Sequence, residues 1–426
     1  MNFLRGRSIT FMNARVVGPD GALARSLRID GSRIAALDEL EAAGQVVDLE
    51  NAFVFPGLIN PHDHLELNHF PRLKWRPHYE SAREWIADFQ PRFTADPVVA
   101  AGLSHRLSDR LLIGGLKNLL SGVTTVCHHN PMYRELGRRF PVRIVERFGF
   151  SHSLHIDGPK VRDSFLRTRS AHPWIIHAAE GVDEEATGEV GRLLRLGCLG
   201  SNTLLVHGVG LTPADREHVL SRGAGLIWCP GSNRFLFGRT ADVSEFARRG
   251  RLAIGTDSRL SGERDLLREL KVAREMATLE QRALVRAVTC DAATLLRLPT
   301  LGRLQARSPA DILVLRSHLE CPFEALVAAD RSDVALTMVG GQPRVGEPTM
   351  AAAFDAVGIR TVRACLDGRP RILDSRIATR LARSGLQEPG FTLDGSKPLM
   401  VSLSNDEHTA LRSSTRSART DREETG

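Results

Sequence analysis

Residues 53–67, FVFPGLINPHDHLEL, decide how the rest of this chain is interpreted. An apolar run breaks at Pro56-Gly57 and leads into two histidines, His62 and His64, separated by one residue. Side chains alternate between the faces of an extended strand, so the two imidazoles point the same way, about 6–7 Å apart along it. Such a pair suits one metal cation, because histidine is the commonest metal ligand near neutral pH. The alternative is that both are packed core or loop histidines.

The composition is that of a globular protein with a mostly aliphatic core. Of the 426 residues, 42% are hydrophobic, 25% are charged and only 5% are aromatic. The net charge is +7, and five lysines leave the basic side to arginine. The densest basic stretch, residues 360–383, contains no aromatic side chain, unlike a typical nucleic-acid-binding surface. We therefore expect no nucleic-acid partner. The positive charge either lies on the solvated surface or attracts an anionic substrate.

The cysteines and the N-terminus indicate a reduced, cytoplasmic protein. The six cysteines are scattered and form no CxxC motif; they are Cys127, Cys198, Cys229, Cys290, Cys321 and Cys365. The first 17 residues lack the apolar region of a signal peptide. No run of about 18 apolar residues predicts a membrane span. For the oligomeric state, a homodimer is the default expectation.

Strand-like runs alternate with helical patterns through the middle of the chain. After the strand that ends in the histidine pair, the runs are residues 122–127, 142–148, 174–178, 203–206, 225–228 and 252–255. The helical patterns include residues 82–89, 98–121, 184–196, 213–222, 243–249, 265–277 and 279–297. This alternation predicts an α/β fold with a parallel sheet closed into a barrel. Seven strands are clear, and residues 152–156 are the candidate for a missing eighth strand.

The two ends of the chain carry further β-structure. Residues 1–55 contain short strands, and residues 302–350 contain another set that resembles them and can complete the same unit. Between these two parts, residues 56–301 form the predicted barrel. Residues 351–403 are a C-terminal extension without an assigned role. Residues 404–426 are rich in Ser, Thr, Arg and Glu without apolar periodicity, so we expect them to be disordered.

Six polar residues follow the predicted strands in a pattern that chance explains poorly. They are His62, His64, His177, Glu180, His207 and Asp257. Alone, His177 is best explained as a core histidine and Asp257 as a helix cap. Together they supply what a hydrolytic metal site needs, namely imidazole and carboxylate ligands with one position left open for water. Such a site also needs a carboxylate off the metal to move protons, and a donor beside the developing negative charge.

The motifs around these residues resemble the amidohydrolase superfamily. They are HDH (62–64), HAAE (177–180), HGVGL (207–211), WCPGSN (228–233) and GTDS (255–258). They are most similar to its mononuclear-metal branch of deaminases and chlorohydrolases, which includes triazine hydrolase, guanine deaminase and aminofutalosine deaminase. The resemblance covers about residues 1–345. It implies a (β/α)8 barrel, here with one distorted strand, flanked by a small β-sandwich built from both chain ends.

The resemblance also implies roles for the residues that match. His62, His64, His177 and Asp257 would bind one divalent metal, zinc in preference to Fe2+ or Mn2+. Asp257 would also accept a proton from the metal-bound water, and Glu180 would carry a proton to the ring or leaving group. His207 would orient the hydroxide or stabilise the tetrahedral oxygen. The implied reaction is hydrolytic deamination of a nitrogen heterocycle, a small-molecule substrate, by a metal-bound hydroxide. Two features depart from the pattern: the interval between His64 and His177 is short, and Trp228 stands where many relatives carry histidine.

Alternative chemistries remain open at this stage. The same site can hydrolyse a cyclic or linear amide or a C–Cl bond, and a barrel that serves as a non-catalytic scaffold is an alternative of another class. Binuclear relatives bridge two metals with a carboxylated lysine on the fourth strand. The lysines in the relevant interval, Lys74, Lys117 and Lys160, fall in a loop, a helix and a turn. We therefore expect a single metal.

Substrate contacts are predicted from the loops beside the strand ends. Residues 68–79, just after the histidine pair, form a long loop, and long loops in compact domains are usually functional. The candidate contacts are His69, Trp75, His128, His152, Asn233 and Arg234, with His155 and Phe235 also in reach. Arg234 could clamp an anionic group. Packing in a loop or in the core is the alternative for each of them.

Overall fold

Parallel strands alternate with helices in the central part of the computed structural model, which describes residues 8–38, 43–137 and 139–394. The strands are β1 Ser8–Met12, β2 Arg15–Gly18, β3 Gly21–Ala24, β4 Leu27–Asp30, β5 Arg33–Leu37, β6 Gln45–Asp48, β7 Phe53–Pro56, β8 Leu58–Asp63, β9 Val123–His128, β10 Arg143–Ile144, β11 Gly149–Ser151, β12 Trp174–Ala178, β13 Thr203–His207, β14 Gly225–Trp228, β15 Leu252–Ile254, β16 Ile312–Leu315, β17 Val334–Val339, β18 Gln342–Gly346, β19 Thr361–Leu366, β20 Arg369–Asp374 and β21 Phe391–Leu393. The tail predicted to be disordered, residues 404–426, lies outside the described residues.

Most of the helices lie between successive strands of the central series. They are α1 Ala82–Phe89, α2 Arg92–Ala95, α3 Pro97–Ser104, α4 Leu107–Leu120, α5 Leu154–Asp157, α6 Lys160–Arg167, α7 Glu184–Thr187, α8 Glu189–Arg195, α9 Pro213–Ser221, α10 Pro230–Phe237, α11 Ser244–Arg248, α12 Leu266–Met276, α13 Gln281–Ala287, α14 Cys290–Leu295, α15 Pro322–Ala328, α16 Ala351–Ala356 and α17 Ser375–Ala382. Within the described ranges, no helix is long and apolar enough to cross a membrane.

Strands β8 to β15 are parallel and follow one another in space as in sequence. They form a three-stranded sheet in the order β10-β9-β8 and a five-stranded sheet in the order β11-β12-β13-β14-β15. The first and last strands of the series meet, because Asp63 and Asp257 form a parallel bridge and the amides of Thr256 and Asp257 each donate to the carbonyl of His62 at 3.1 Å. The carboxyl ends of all these strands therefore lie at one edge, where parallel α/β folds place their sites.

The eighth strand, which had no clear signal in the sequence, is β11 at Gly149–Ser151. It lies just before residues 152–156, the predicted candidate. Residues 152–156 were expected to form it, and that expectation is wrong, since residues 154–157 form the short helix α5. The hydroxyl of Ser153 caps this helix by accepting from the amide of Ile156 at 3.1 Å. The predicted strand 142–148 shortens to the two residues of β10, which pair with β9. The predicted helix 98–121 is divided into α3 and α4.

Both ends of the chain build a two-layered β-structure beside the parallel strands. One layer has the order β5-β4-β1-β6, and the other is a nine-stranded sheet with the order β21-β19-β20-β18-β17-β16-β7-β2-β3. Their facing sides share one apolar core, in which Phe11 and Leu27 of the first layer join Val54, Val314 and Met338 of the second. Strands β19 to β21, from the C-terminal extension, continue the same nine-stranded sheet.

Candidate active site

Four potential metal ligands converge where β8, β12 and β15 end. They are His62, His64, His177 and Asp257, and one donor atom from each lies within 4.8 Å of all the others. The Nε2 atoms of His62 and His177 are 3.2 Å apart. Oδ1 of Asp257 lies 3.6 Å from Nε2 of His62 and 3.6 Å from Nε2 of His64. Three separate strands are thus required to assemble this one cluster.

The spacing of these donor atoms fits a single divalent cation. Ligand bonds of about 2.0–2.2 Å in a tetrahedral site place neighbouring donor atoms about 3.4 Å apart, which lies inside the observed range. Burial lowers the pKa of His62 below its ordinary value and holds the pKa values of His64 and His177 well below it. The imidazoles are therefore neutral, as metal ligands must be. Two neutral nitrogens facing each other at 3.2 Å are also better satisfied by a cation between them than by each other.

Hydrogen bonds on the far side of two of these groups aim their donor atoms at the cluster. Nδ1 of His177 donates to the carbonyl oxygen of His152 at 2.7 Å, which leaves Nε2 with its lone pair toward the cluster. Oδ2 of Asp257 accepts from the hydroxyls of Ser232 at 2.9 Å and Ser261 at 2.6 Å. Oδ1 therefore faces the histidines. Ser232 lies in the WCPGSN motif, whereas nothing in the sequence marked Ser261.

The backbone at these strand ends adopts conformations that non-glycine residues seldom take. Ala179, His207 and Asp257 have φ values of 52°, 74° and 56°. Each turns the chain sharply at the point where a strand delivers its polar side chain, and strained backbone of this kind clusters at functional sites. Gly255, which follows β15 and precedes the turn at Asp257, must also be glycine. A Cβ at this position would lie 2.9 Å from Cβ of His62.

The side chains of Glu180 and His207 lie next to each other beside the cluster. Oε1 of Glu180 lies 3.4 Å from Nε2 of His207, and Nδ1 of His207 donates to Oδ1 of Asn233 at 2.9 Å. With Nδ1 engaged in this way, Nε2 of His207 faces the carboxyl group of Glu180 and has no hydrogen-bond partner among the described residues. Burial raises the pKa of Glu180 to about 7, so this carboxyl can hold or release a proton near neutral pH.

A cavity of about 200 Å³ opens onto both the cluster and the Glu180–His207 pair. One wall is apolar and is formed by Leu67, Trp85, Ile86, Leu236 and Leu260. The polar side chains elsewhere on the wall include Arg83, His152, His155 and Glu189. Arg83 is already paired with Asp183 at 2.7 Å and with Glu185. The cavity therefore suits a ring that stacks on apolar side chains while its reacting atom faces the cluster.

Of the six predicted substrate contacts, the structure places His152 on the cavity wall and engages the other five elsewhere. Those five are His69, 2.9 Å from the carbonyl of Gly102; Trp75, packed on Phe89; His128, which accepts from the amide of Leu65; Asn233, on His207; and Arg234, paired with Glu263 and Glu275. None of residues 68–79 lines the cavity, because this loop packs against α1 and α10. Trp85 and Ile86 of α1 contribute to the wall instead.

A buried ion pair lies behind the histidine pair. Asp63 points away from the cluster, and its carboxylate accepts from Nζ of Lys117 at 3.2 Å, Nδ2 of Asn118 at 2.7 Å and Nδ2 of Asn68 at 2.7 Å. The side chains of Asp63 and Lys117 are both fully buried. Lys117 is thus committed to Asp63, and the fourth strand of the series, β11, contains no lysine that could bridge two metals.

Comparison with known proteins shows that the chain is similar to hydrolases and deaminases. A model described as "Amidohydrolase family" matches residues 169–344. A 5-methylthioadenosine/S-adenosylhomocysteine deaminase of Nitratidesulfovibrio vulgaris is 27% identical over 402 residues, which span 77% of this chain and 88% of the relative.

Two solved structures have a similar fold. One is an adenosine deaminase of Xanthomonas campestris with bound zinc, at a TM-score of 0.66 and 19% identity, covering 82% of this chain and 97% of its own. The other is an atrazine chlorohydrolase of Arthrobacter aurescens in complex with zinc, at a TM-score of 0.64 and 17% identity, covering 82% and 100%.

Proposed function

We propose that this chain is a member of the amidohydrolase superfamily that deaminates a nitrogen heterocycle hydrolytically, with a 6-aminopurine nucleoside as the substrate class. The observation that carries this proposal is the Glu180–His207 pair, with 3.4 Å between Oε1 and Nε2, in one cavity with the four-donor cluster. Deamination needs a proton carrier beside the attacked carbon, and this pair supplies one. The relative named as a 5-methylthioadenosine/S-adenosylhomocysteine deaminase supports the purine substrate.

In this proposal His62, His64, His177 and Asp257 hold one divalent cation, and zinc is the metal we favour. Three imidazoles and one carboxylate are typical zinc donors and leave a position open, although Fe2+ and Mn2+ accept the same ligand types. When bound, such a cation supplies an acidified water as the nucleophile near neutral pH. The zinc in the two solved structures of similar fold supports the assignment.

The protein's own groups then position the substrate and move protons. Trp85, Ile86 and Leu260 would pack against the ring and keep bulk water from its reacting edge. Asp257 would accept one proton of the attacking water and later give it to the departing amine. Glu180 would give its proton to the ring nitrogen and recover one from the attacking oxygen as the new carbonyl group forms. His207, oriented by Asn233, would donate to the oxygen on which negative charge develops.

We also infer that β8 to β15 make up a (β/α)8 barrel, whose seam lies between the separate sheets of β10 and β11. One apolar cluster draws side chains from strands all around the series, among them Ile59, Cys127, Ile175, Val206 and Ile227. Layers of this kind fill the interior of such barrels. On this interpretation residues 56–301 are the barrel, and residues 1–55 with 302–350 are the flanking sandwich.

A product assay on a small substrate panel tests the proposal. The panel contains adenosine, 5-methylthioadenosine, S-adenosylhomocysteine and guanine, together with a chlorotriazine and a cyclic amide. Ammonia release from one or more of the purines, matched by loss of the amino group in the product, is the expected result. Chloride or amine release without ammonia would instead assign the alternative hydrolysis. A protein that takes up no metal and turns over none of the panel would be a scaffold.

A further inference from the structure

A buried ionic cluster joins the C-terminal segment to the loop that carries Asp257. At its centre is the carboxylate of Glu388, whose side chain is fully buried. It accepts from Nη1 and Nη2 of Arg259 at 2.8 and 2.6 Å, and from Nη1 of Arg331 at 2.7 Å. Arg259 follows Asp257 by two residues. The bidentate pair therefore connects residue 388 directly to the loop of a proposed metal ligand.

Arg259 also holds the segment that follows His64. Its backbone amide donates to Oδ1 of Asn68 at 3.1 Å, and its Nη1 donates to the carbonyl of Asn68 at 3.4 Å. The amide group of Asn68 in turn donates to Oδ1 of Asp63 at 2.7 Å and to the carbonyl of His64 at 3.2 Å. Arg259 thus links its own loop, which carries Asp257, to the segment that follows His64.

The outer side of the cluster fixes Glu388 in place. Arg331 donates to both carboxylate oxygens of Asp367, at 2.7 and 2.8 Å, and to the carbonyl of Pro389 at 2.6 Å. The amide of Asp367 donates to the carbonyl of Gly390 at 2.8 Å, which ties the β19–β20 turn to the same stretch. Glu388 is therefore held from the nine-stranded sheet while its carboxylate reaches the active-site loop.

Removal of the Glu388 carboxylate would disturb the loop of Asp257, because its partner, the guanidinium of Arg259, is buried. The side chain of Arg259 is 9% exposed, and a buried guanidinium left without its counter-charge is strongly unfavourable. Relaxation would move Arg259 toward solvent or toward another acceptor. Its contacts to Asn68 and the backbone at residue 259 would move with it, and with them the aim of Asp257.

We propose that Glu388 is a positioning residue of the metal centre, which through Arg259 holds the loop of Asp257 and the segment of His64. The inference rests on the proposed function, since it assumes that these residues bind a cation. It gives the C-terminal segment a task beyond extending the sheet. Metal ligands lose about 10–100-fold in affinity when the groups that orient them are removed, so an effect of about tenfold is expected here.

The test is zinc affinity of the metal-free protein, measured by competition with a chromophoric chelator and without any substrate. Glu388→Gln should raise the apparent zinc Kd about tenfold, and Glu388→Asp should raise it less. Asp374→Asn is the matched control. It changes another buried carboxylate of the same segment, one that pairs with Arg344 at 2.9 Å and Arg376 at 2.6 Å. This control should lower thermal stability and leave the zinc Kd within about twofold of wild type.

The outcomes separate positioning from general loss of stability. An unchanged zinc Kd in folded Glu388→Gln, or an equal loss of affinity in Asp374→Asn, would overturn the inference. If Glu388→Gln does not fold, Glu388→Asp decides by the same criterion, because it keeps the charge and shortens the side chain by one methylene. A wild-type protein without zinc affinity would instead contradict the proposed function itself.

Discussion

Glu180 is the residue on which the proposed proton transfer depends. Replacing it by glutamine removes the proton carrier while keeping the size of the side chain. We expect Glu180→Gln to lower kcat/KM about 10²–10⁴-fold, the usual contribution of a general acid–base group, with metal content unchanged. Ammonia release and elemental analysis on the same sample check this. Loss of metal in this variant would mean that Glu180 acts as a ligand.

The same residue predicts a pH dependence. Burial raises the pKa of Glu180 to about 7, so its protonated form decreases as the pH rises through that value. Since Glu180 must hold a proton in order to give it to the ring nitrogen, kcat/KM should decrease on the alkaline side with a midpoint near pH 7. Profiles of wild type and Glu180→Asp over about pH 5–9 test this, because the variant should shift the alkaline limb. A wild-type profile that is flat across this range would contradict the role.

Asn233 offers a test of how His207 is oriented. Asn233→Ala removes the acceptor that holds Nδ1 of His207 at 2.9 Å. We expect kcat to decrease about 10–100-fold while zinc affinity stays unchanged. Asn202→Ala is the matched control, since this buried asparagine donates to the carbonyl of His172, away from the cavity. Equal losses of kcat in the two variants would indicate a general effect on folding.

For individual residues, the sequence pattern identified the polar side chains that follow strands. It did not identify the side chains that loops bring to the site. His62, His64, His177, Glu180, His207 and Asp257 were all found from their positions after strand-like runs. The hydroxyl of Ser261 and the carboxylate of Glu388 lie in loops without a periodic pattern. Their positions depend on tertiary packing, which spacing along the chain does not encode.

Among the elements, β8 depends on the buried pair of Asp63 and Lys117. Lys117→Met leaves a fully buried carboxylate without its cation, which costs about 3–5 kcal/mol of unfolding free energy. Denaturant unfolding measures the loss, and the double variant Asp63→Asn/Lys117→Met should recover part of it. Lys271→Met, which breaks a pair with the half-exposed Asp330, should cost no more than about 1 kcal/mol. Similar losses at both lysines would contradict the special position of Lys117.

Elements with strong local signals were predicted well, and weak ones were not. Helix α1 has the predicted bounds, residues 82–89, and β12 has the predicted bounds, residues 174–178. Strand β11 has three residues, too few for an alternating pattern, and gains its identity from pairing with β12. The break between α3 and α4 and the one between α13 and α14 likewise follow from packing, because apolar spacing continues through both.

Across the whole molecule, metal binding should couple to stability, because the proposed ligands come from three distant parts of the chain. Removal of metal by a chelator should lower Tm, and added zinc should restore it. At a hundredfold excess of free zinc over Kd, the free energy of unfolding should rise by about 2.7 kcal/mol. His62→Ala should show little zinc dependence, since it lacks one of the four donors. Calorimetry of both proteins with and without zinc measures this. Equal responses of the two proteins would contradict the assigned ligand set.

The C-terminal extension changes how the whole chain is divided. Residues 351–403 had no assigned role in the sequence, yet β19 to β21 continue the nine-stranded sheet and Glu388 reaches Arg259 beside the site. A contact between Glu388 and Arg259, which lie 129 positions apart, leaves no mark in local composition. The sandwich from both chain ends was implied by family resemblance, whereas this connection required the structure.

A zinc titration of the metal-free protein, followed by ammonia release from the purine substrate proposed above, tests the single-cation deaminase most directly. One cluster of four donors holding one catalytic cation predicts that activity is absent without metal. It should then rise linearly and level off at one zinc per chain. Full activity in the metal-free protein, or a rise that continues to two zinc ions per chain, would contradict a mononuclear deaminase built on His62, His64, His177 and Asp257.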